Sequence, residues 1–289
     1  MTAARGKLLL GLIGAGIQRS LTPALHEAEG AHHGLRVHYQ LIDLDAAGAG
    51  AAELPALIAA ARIMGFAGLN VTYPCKQAVL PLLDGLSPEA QAMGAVNTVV
   101  SRDGRLIGHN TDGWGWRWGF CRALPQADLS RVVLLGAGGA GSAVAHSVLQ
   151  LGAQRLTVVD VDTARAAALA QALGLQYGPQ RVRAGAGAEE ALADATGLIH
   201  ATPTGMDKLP GLPLPEALLR PALWVSEIVY FPIETALLRA ARARGCATVD
   251  GGTMAVGQAI GAFELFTGLA PDERRMEAHL RAMLADAAG

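Results

Sequence analysis

The segment from Arg131 to Gly141 constrains the fold more than any other part of the chain. An apolar strand, Arg131 to Leu135, runs into Gly136-Ala137-Gly138-Gly139-Ala140-Gly141, and a helix pattern follows with Val144, Val148 and Leu151 on one face. Gly136, Gly138 and Gly141 have the G-x-G-x-x-G spacing. The first glycine makes a tight turn, the second lets backbone approach a pyrophosphate, and the third lets the helix pack on the strand. Free amides at the positive end of that helix then hold phosphates. Such a pattern alone is weak in a chain with 36 glycines. Its weight comes from Asp160, which closes the next strand, Arg155 to Val159, where a carboxylate accepts from an adenosine ribose. The plainer alternative is an ordinary glycine turn beside a solvated acidic loop. We read the segment as a Rossmann-type dinucleotide site lined by Gly136, Ala137, Gly138, Gly139, Ala140, Gly141 and Asp160.

The rest of the chain repeats the alternation of strand and helix. Leu8 to Ile13, Val37 to Asp43 and Gly68 to Val71 read as strands. Helices are expected from Thr22-Pro23 onward, with Thr22 as N-cap, and from Ala51 to Met64. Further strands are expected at Gly197 to Ala201, Leu223 to Val229 and Ala247 to Val249, and two last helices around Met254 to Phe266 and Asp272 to Ala285. Alternation of this kind implies an α/β protein with largely parallel sheets, which bind ligands beyond the carboxyl ends of their strands. Because the last helices follow a completed sheet, they are expected to return to the first domain. The expected division is 1–115 plus 255–289 for one α/β domain and 116–254 for the Rossmann-type domain, with the active site in the cleft between them. The earlier Gly14-Ala15-Gly16 has Arg19 at the third position, and no acid is expected to close the next strand as Asp160 does, so it reads as a substrate-side loop.

The chain of 289 residues is 51% hydrophobic and 17% charged, with a net charge of -2, so it buries a sizeable core. That balance gives no basic field to hold nucleic acid or an anionic membrane, while a small anionic substrate needs only one or two local donors. Arg5 and Lys7 ahead of Leu8 to Ile17 imitate a signal peptide, but Gly11, Gly14, Gly16 and Gln18 fit a buried first strand better. No apolar run approaches the ~20 residues of a membrane span. The three scattered cysteines, Cys75, Cys121 and Cys246, suit a reducing cytoplasm. His26, His32, His33 and His38 spread around a helix and into the next strand, so packing or solvation is expected of them and no metal site. Trp114, Trp116 and Trp118 alternate on a helix and cannot share one face, so at least one is expected at a domain or subunit contact.

Lys76 follows a strand-to-loop transition, and Asp112 precedes a tryptophan-rich helix. Each alone reads as unremarkable chemistry, a surface lysine and a helix N-cap. Their neighbours change that. The chain carries Ser20-Leu21-Thr22-Pro23, Asn70-Val71-Thr72-Tyr73-Pro74-Cys75-Lys76, Gly94-Ala95-Val96-Asn97-Thr98 and Asn110-Thr111-Asp112-Gly113. The glycine turn, Ala201-Thr202-Pro203, and Asp250-Gly251-Gly252-Thr253-Met254 leading to Gln258 follow in order. Together these segments resemble the shikimate/quinate dehydrogenase family over nearly the whole chain. The likeness is greatest to the branch using quinate and NAD, including His26-Glu27-Ala28-Glu29-Gly30.

The resemblance implies that Lys76 and Asp112 are the catalytic pair beside the reacting ring hydroxyl. It implies substrate contacts from Ser20, Thr22, Thr72, Asn97, Tyr230 and Gln258, and cofactor contacts from Thr202 and Met254 besides the glycine turn. Hydroxyls and amides suit a polyol, which is read by directed hydrogen bonds; core packing is the alternative for Tyr230 and Met254. The expected activity is NAD-dependent interconversion of quinate and shikimate with their 3-dehydro forms, in a monomer or homodimer. Aminoshikimate is the alternative substrate, and a binding protein without turnover the alternative class. Relatives that use NADP tend to carry Asn-Arg-Thr where this chain has Asp160-Val161-Asp162. His200 and Glu227 depart from the Asn and Asp that many relatives carry there.

Overall fold

In the computed structural model, residues 6–286 are described; Arg5 and the outermost ends of the expected domain limits lie outside them. The chain forms two compact units, one running to Thr111 and resuming at Gln258, the other Asp112–Gly257.

The first unit contains β1 (Lys7–Gly14), α1 (Thr22–His32), β2 (Arg36–Asp43), α2 (Leu54–Met64), β3 (Gly68–Val71), α3 (Cys75–Ala78), β4 (Gly85–Leu86), α4 (Pro88–Met93), β5 (Thr98–Arg102) and β6 (Arg105–His109). Its sheet has the order β2-β1-β3-β5-β6-β4. β1 is parallel to β2 and β3, but β5 runs antiparallel to both β3 and β6. Simple strand-helix alternation therefore ends at β5, because only two residues separate it from β6 and the two form a hairpin. α1 begins at Thr22 itself rather than after it. Leu21 has helical backbone there with no side-chain cap, and the Thr22 amide donates to Ser20 Oγ at 3.3 Å. Thr22 is thus the first helical residue, and its hydroxyl is not spent on capping.

The second unit contains α5 (Asp112–Ala123), β7 (Arg131–Leu135), α6 (Gly139–Gln150), β8 (Arg155–Val159), α7 (Thr163–Tyr177), β9 (Val182–Ala184), α8 (Ala188–Leu192), β10 (Gly197–His200), β11 (Trp224–Glu227), α9 (Ala236–Ala243) and β12 (Thr248–Val249). Its six strands are all parallel, in the order β12-β11-β10-β7-β8-β9. Numbered within the unit this is the doubly wound order 3-2-1-4-5-6, whose direction reverses between β7 and β10. Trp116 is buried here, stacked on Phe120, and its indole N–H donates to Ser226 Oγ at 2.9 Å. Trp118 instead carries the Arg122 guanidinium over its ring. α10 (Gly251–Thr267) takes the chain out of this unit and α11 (Glu273–Asp286) completes the first. Among the described residues no helix is long and apolar enough to cross a membrane.

The histidines separate by environment. His32 and His38 are exposed, and His33 lies 3.0 Å from the buried Glu29 carboxylate. His26 is fully buried against Tyr39, Phe263 and Phe266, and neither ring nitrogen has a hydrogen-bond partner. Burial pushes its pKa down to about 3 from an ordinary 6.5. The sign follows from proton counting. Above the ordinary value neither state is charged and nothing is lost. As pH falls from that value towards about 3, the unfolded chain binds a proton that the folded chain refuses, so stability declines. A tenfold difference in proton affinity is worth ~1.4 kcal/mol, so the full loss is on the order of a few kcal/mol. Urea midpoints at neutral pH and near pH 4 are therefore expected to differ much less in His26→Phe than in the parent. Equal declines in the two proteins would contradict this role for His26.

Candidate active site

In open α/β sheets ligands sit beyond the strand ends where the strand order reverses. In the second unit that place is flanked by the loops after β7 and β10. Gly136 has φ of 103°, and a Cβ there would lie 2.5 Å from Ala201 O and 3.1 Å from Thr202 Cγ2. Only glycine lets the two loops meet. A Cβ at Gly141 would stand 2.0 Å from Gly136 O, so the start of α6 closes directly on the turn. A Cβ at Gly138 would meet nothing within 4 Å, and that residue is exposed. The turn is therefore tight on the protein side and open at its second glycine, and α6, twelve residues long, begins there. This cradle fits a dinucleotide pyrophosphate.

Asp160 lies just past β8, half-buried. Its Oδ2 accepts from the Ala137 amide at 2.7 Å and its Oδ1 from the Asp162 amide at 2.9 Å. A carboxylate has about four lone-pair sites, so it braces the glycine loop with acceptor capacity to spare. Asp162 caps α7 through the Arg165 amide at 3.1 Å, and the Arg165 guanidinium lies 3.6 Å from the Asp162 carboxylate. Val161 between them is fully exposed. Thr202 is half-buried just past β10, and Met254 is buried in α10 within this unit's hydrophobic core.

The first unit repeats the same device. Its order reverses between β1 and β3, and a Cβ at Gly14 would stand 2.2 Å from Thr72 Cγ2. Asp43 ends β2 and accepts from the amides of Gly16 and Ile17 at 3.0 and 3.1 Å, and from Gln18 Nε2 at 3.0 Å. This corrects the expectation that no acid closes the Gly14-Ala15-Gly16 loop. Asp43 holds the Gly14-Ala15-Gly16 loop as Asp160 holds the glycine turn, a parallel visible only once the strand order is known. These bonds hold the Asp43 carboxyl below the usual carboxylate range, against an opposing desolvation.

Around this second reversal the predicted side chains assemble. Ser20 Oγ donates to Thr22 Oγ1 at 3.1 Å. Backbone bonds join Ala15 N to Tyr73 O at 2.9 Å, Thr72 N to Ile13 O at 2.9 Å and Val96 N to Lys76 O at 2.9 Å. The loops carrying Ser20, Thr72, Lys76 and Asn97 are thereby sewn together. Lys76 is half-buried on α3. Asn97 is buried; its Nδ2 donates to Thr111 Oγ1 at 3.0 Å and Gln258 Oε1 at 3.3 Å, while its Oδ1 accepts from the Thr111 amide at 2.8 Å. Sequence reasoning missed what supports Asn97. Tyr39 Oη donates to Asn70 Oδ1 at 2.7 Å, and Asn70 Nδ2 donates to Asn97 O at 3.2 Å and Thr98 Oγ1 at 3.1 Å. Alternation along β2 was the available signal, since it turns Tyr39 inward.

Asp112 and Tyr230 belong to the second unit. Asp112 is buried at the start of α5, and Tyr230 is half-buried. Burial first, then the Asp112 charge, raise the Tyr230 phenol, which keeps its proton and can donate. His200 and Glu227, the two departures, face each other across β10 and β11.

Comparison with known proteins places these features in context. A family model described as the shikimate dehydrogenase substrate binding domain matches residues 12–99. A shikimate dehydrogenase (NADP(+)) of Streptomyces avermitilis is 57% identical over 97% of this chain and 97% of its own length. A quinate/shikimate dehydrogenase (NAD(+)) of Corynebacterium efficiens is 51% identical over 94% of this chain and 96% of its own. Among solved structures, quinate dehydrogenase from Corynebacterium glutamicum in complex with NAD superposes with a TM-score of 0.91 at 47% identity, covering 96% of this chain and all of that one.

Proposed function

The chain belongs to the shikimate dehydrogenase family, and from that premise we propose an NAD-dependent quinate/shikimate dehydrogenase. It interconverts quinate with 3-dehydroquinate and shikimate with 3-dehydroshikimate at the ring C3 hydroxyl. The observation that carries the substrate reading is the set of hydroxyls and amides at the first unit's strand reversal, Ser20, Thr22, Thr72, Asn97 and Gln258, beside Lys76. Directed donors and acceptors of this kind fit a polyhydroxylated acid and fit an apolar ligand poorly.

The names of the relatives divide between NAD and NADP, and the loop after β8 supports NAD for this chain. Asp160 presents a carboxylate where an NADP 2′-phosphate would lie, and Arg165 is engaged with Asp162. Repulsion in a partly desolvated site favours NAD. Gly136, Ala137, Gly138, Gly139, Ala140 and Gly141 would hold the pyrophosphate, Asp160 the adenosine ribose, and Thr202 and Met254 the nicotinamide side. When bound, NAD supplies an acceptor for the hydrogen and electron pair leaving the ring carbon.

Lys76 takes the hydroxyl proton, as the neutral amine or as a relay, and Asp112 is its partner carboxylate. Thr22 and Ser20 bind the substrate carboxylate, the Thr22 hydroxyl being free of capping duty and oriented by Ser20. Asn97 is fixed by Thr98 and Thr111 at its side chain and by Asn70 at its backbone carbonyl, so its amide is held in one orientation. Tyr230, its phenol protonated, is a further donor for a substrate hydroxyl. Steady-state kcat/KM for quinate, shikimate and aminoshikimate, each with NAD and NADP, tests the assignment. Turnover of quinate and shikimate with NAD is expected; turnover of aminoshikimate alone, or of none, would overturn it.

Thr22 also sets the balance between the two acids. Quinate has a saturated ring with one more hydroxyl, and the Thr22 methyl alters the floor on which the carboxylate end rests. Thr22→Ser is expected to shift the quinate-to-shikimate ratio of kcat/KM towards shikimate, by no more than the ~1–3 kcal/mol that one methyl is worth. An unchanged ratio would remove Thr22 from specificity and leave the activity intact.

A further inference from the structure

His200 ends β10 and is fully buried, as is Glu227 at the end of β11. His200 Nδ1 lies 2.8 Å from Glu227 Oε1, and its Nε2 lies 2.5 Å from Thr202 Oγ1. Both ring nitrogens are therefore engaged, one by an acid and one by a residue read here as touching the cofactor. The acid is anchored on every side. Glu227 Oε1 also accepts from the Ile228 amide at 2.8 Å and the Val229 amide at 3.0 Å, and Oε2 accepts from Thr235 Oγ1 at 3.0 Å. Thr235 in turn caps α9 through the Leu238 amide at 3.2 Å.

This arrangement dictates where the imidazole proton sits. An ionised carboxylate only accepts, so Nδ1 carries the hydrogen facing Glu227. The two backbone amides pin an acceptor oxygen at that position. Two amides and a hydroxyl already meet the carboxylate, so one N–H from the ring completes its set, and Nε2 is left to accept. Thr202 must then donate its only hydroxyl proton to His200. Its Oγ1 also accepts from the Thr204 amide at 3.3 Å, so what Thr202 offers beyond the protein is acceptor capacity alone.

We propose that His200 and Glu227 are positioning residues that hold Thr202 as a hydrogen-bond acceptor towards the bound dinucleotide, selecting an N–H or O–H donor such as a carboxamide or ribose hydroxyl. The inference rests on the reading of Thr202 as a cofactor contact. It assigns a purpose to two residues that departed from the common pattern.

The test uses the intact protein and NADH as the probe. His200→Asn keeps an amide within reach of Glu227 but is too short for Thr202, and Thr202→Val removes the hydroxyl at constant shape. Each is expected to raise the NADH dissociation constant and the KM for NAD by about tenfold, the scale of one hydrogen bond. The KM for quinate should change by less than about twofold, and the double variant should bind NADH no worse than Thr202→Val alone. Additive losses in the double variant would overturn the relay. A Thr202→Val loss with a silent His200→Asn would overturn the relay while leaving Thr202 at the cofactor; a silent Thr202→Val would overturn both. Should His200→Asn fold poorly, the nitrogen chemical shifts of His200 in the unmodified protein decide. The Nδ1–H tautomer supports the proposal, and a ring protonated at Nε2 contradicts it.

Discussion

Lys76→Ala is expected to lower kcat by about 10²-fold or more, the usual scale for a removed acid-base group, while the KM for quinate moves far less. The lysine stands at the strand reversal of the first unit, on a short helix, half-buried, with its backbone carbonyl bound to the Val96 amide at 2.9 Å. That backbone tie does not depend on the side chain, so truncation leaves the neighbouring Asn97 segment in place. The loss therefore reports on the amine. Steady-state kinetics checks it, with NADH binding as a control for the second unit. A variant with near-normal kcat and a raised KM would make Lys76 a binding residue and would require another proton acceptor.

Replacing Asp160-Val161-Asp162 by Asn-Arg-Thr is expected to shift the NAD-to-NADP ratio of kcat/KM by on the order of 10²-fold towards NADP, the scale of exchanging charge-assisted contacts. The structure suits this exchange residue by residue. An Asn at 160 keeps an oxygen to accept from the Ala137 amide, and a Thr at 162 keeps a helix cap for α7. Val161 is fully exposed, so an arginine there meets no steric resistance. What changes is charge: two carboxylates leave and a cation arrives. Equal or better use of NADP by the unmodified protein would show that this loop does not set the preference.

Much of the second unit was legible because its strands are short apolar runs ended by glycine or acid. β7 and β8 fall where their sequence pattern puts them, Arg131–Leu135 and Arg155–Val159, and so does β3 at Gly68–Val71. The two-residue β4 and three-residue β9 were not read, since strands that short carry no period, and the hairpin of β5 and β6 was missed because its strands lack the flanking helices of the expected alternation. Thr22 was misplaced by one helical position because the competing acceptor, Ser20 Oγ, lies outside the usual cap pattern. Asp43, Tyr39 and the His200–Glu227 pair were hidden for a different reason. Each matters through a neighbour distant in sequence, and such neighbours appear only once strand order sets β2 beside β1 and β10 beside β11. The side chains assigned to substrate were legible through family resemblance; their periodicity alone would have left Lys76 a surface residue and Asp112 a cap.

The central claim is that hydrogen leaves ring C3 of the acid for the nicotinamide of NAD. It is tested most directly with quinate carrying deuterium at C3, incubated with the protein and NAD, and with the NADH product examined by mass spectrometry and proton NMR. The expected result is deuterium at nicotinamide C4, with 3-dehydroquinate formed in equal amount. NADH formed without the label, or quinate recovered unchanged under conditions where NAD is bound, would contradict the assigned reaction.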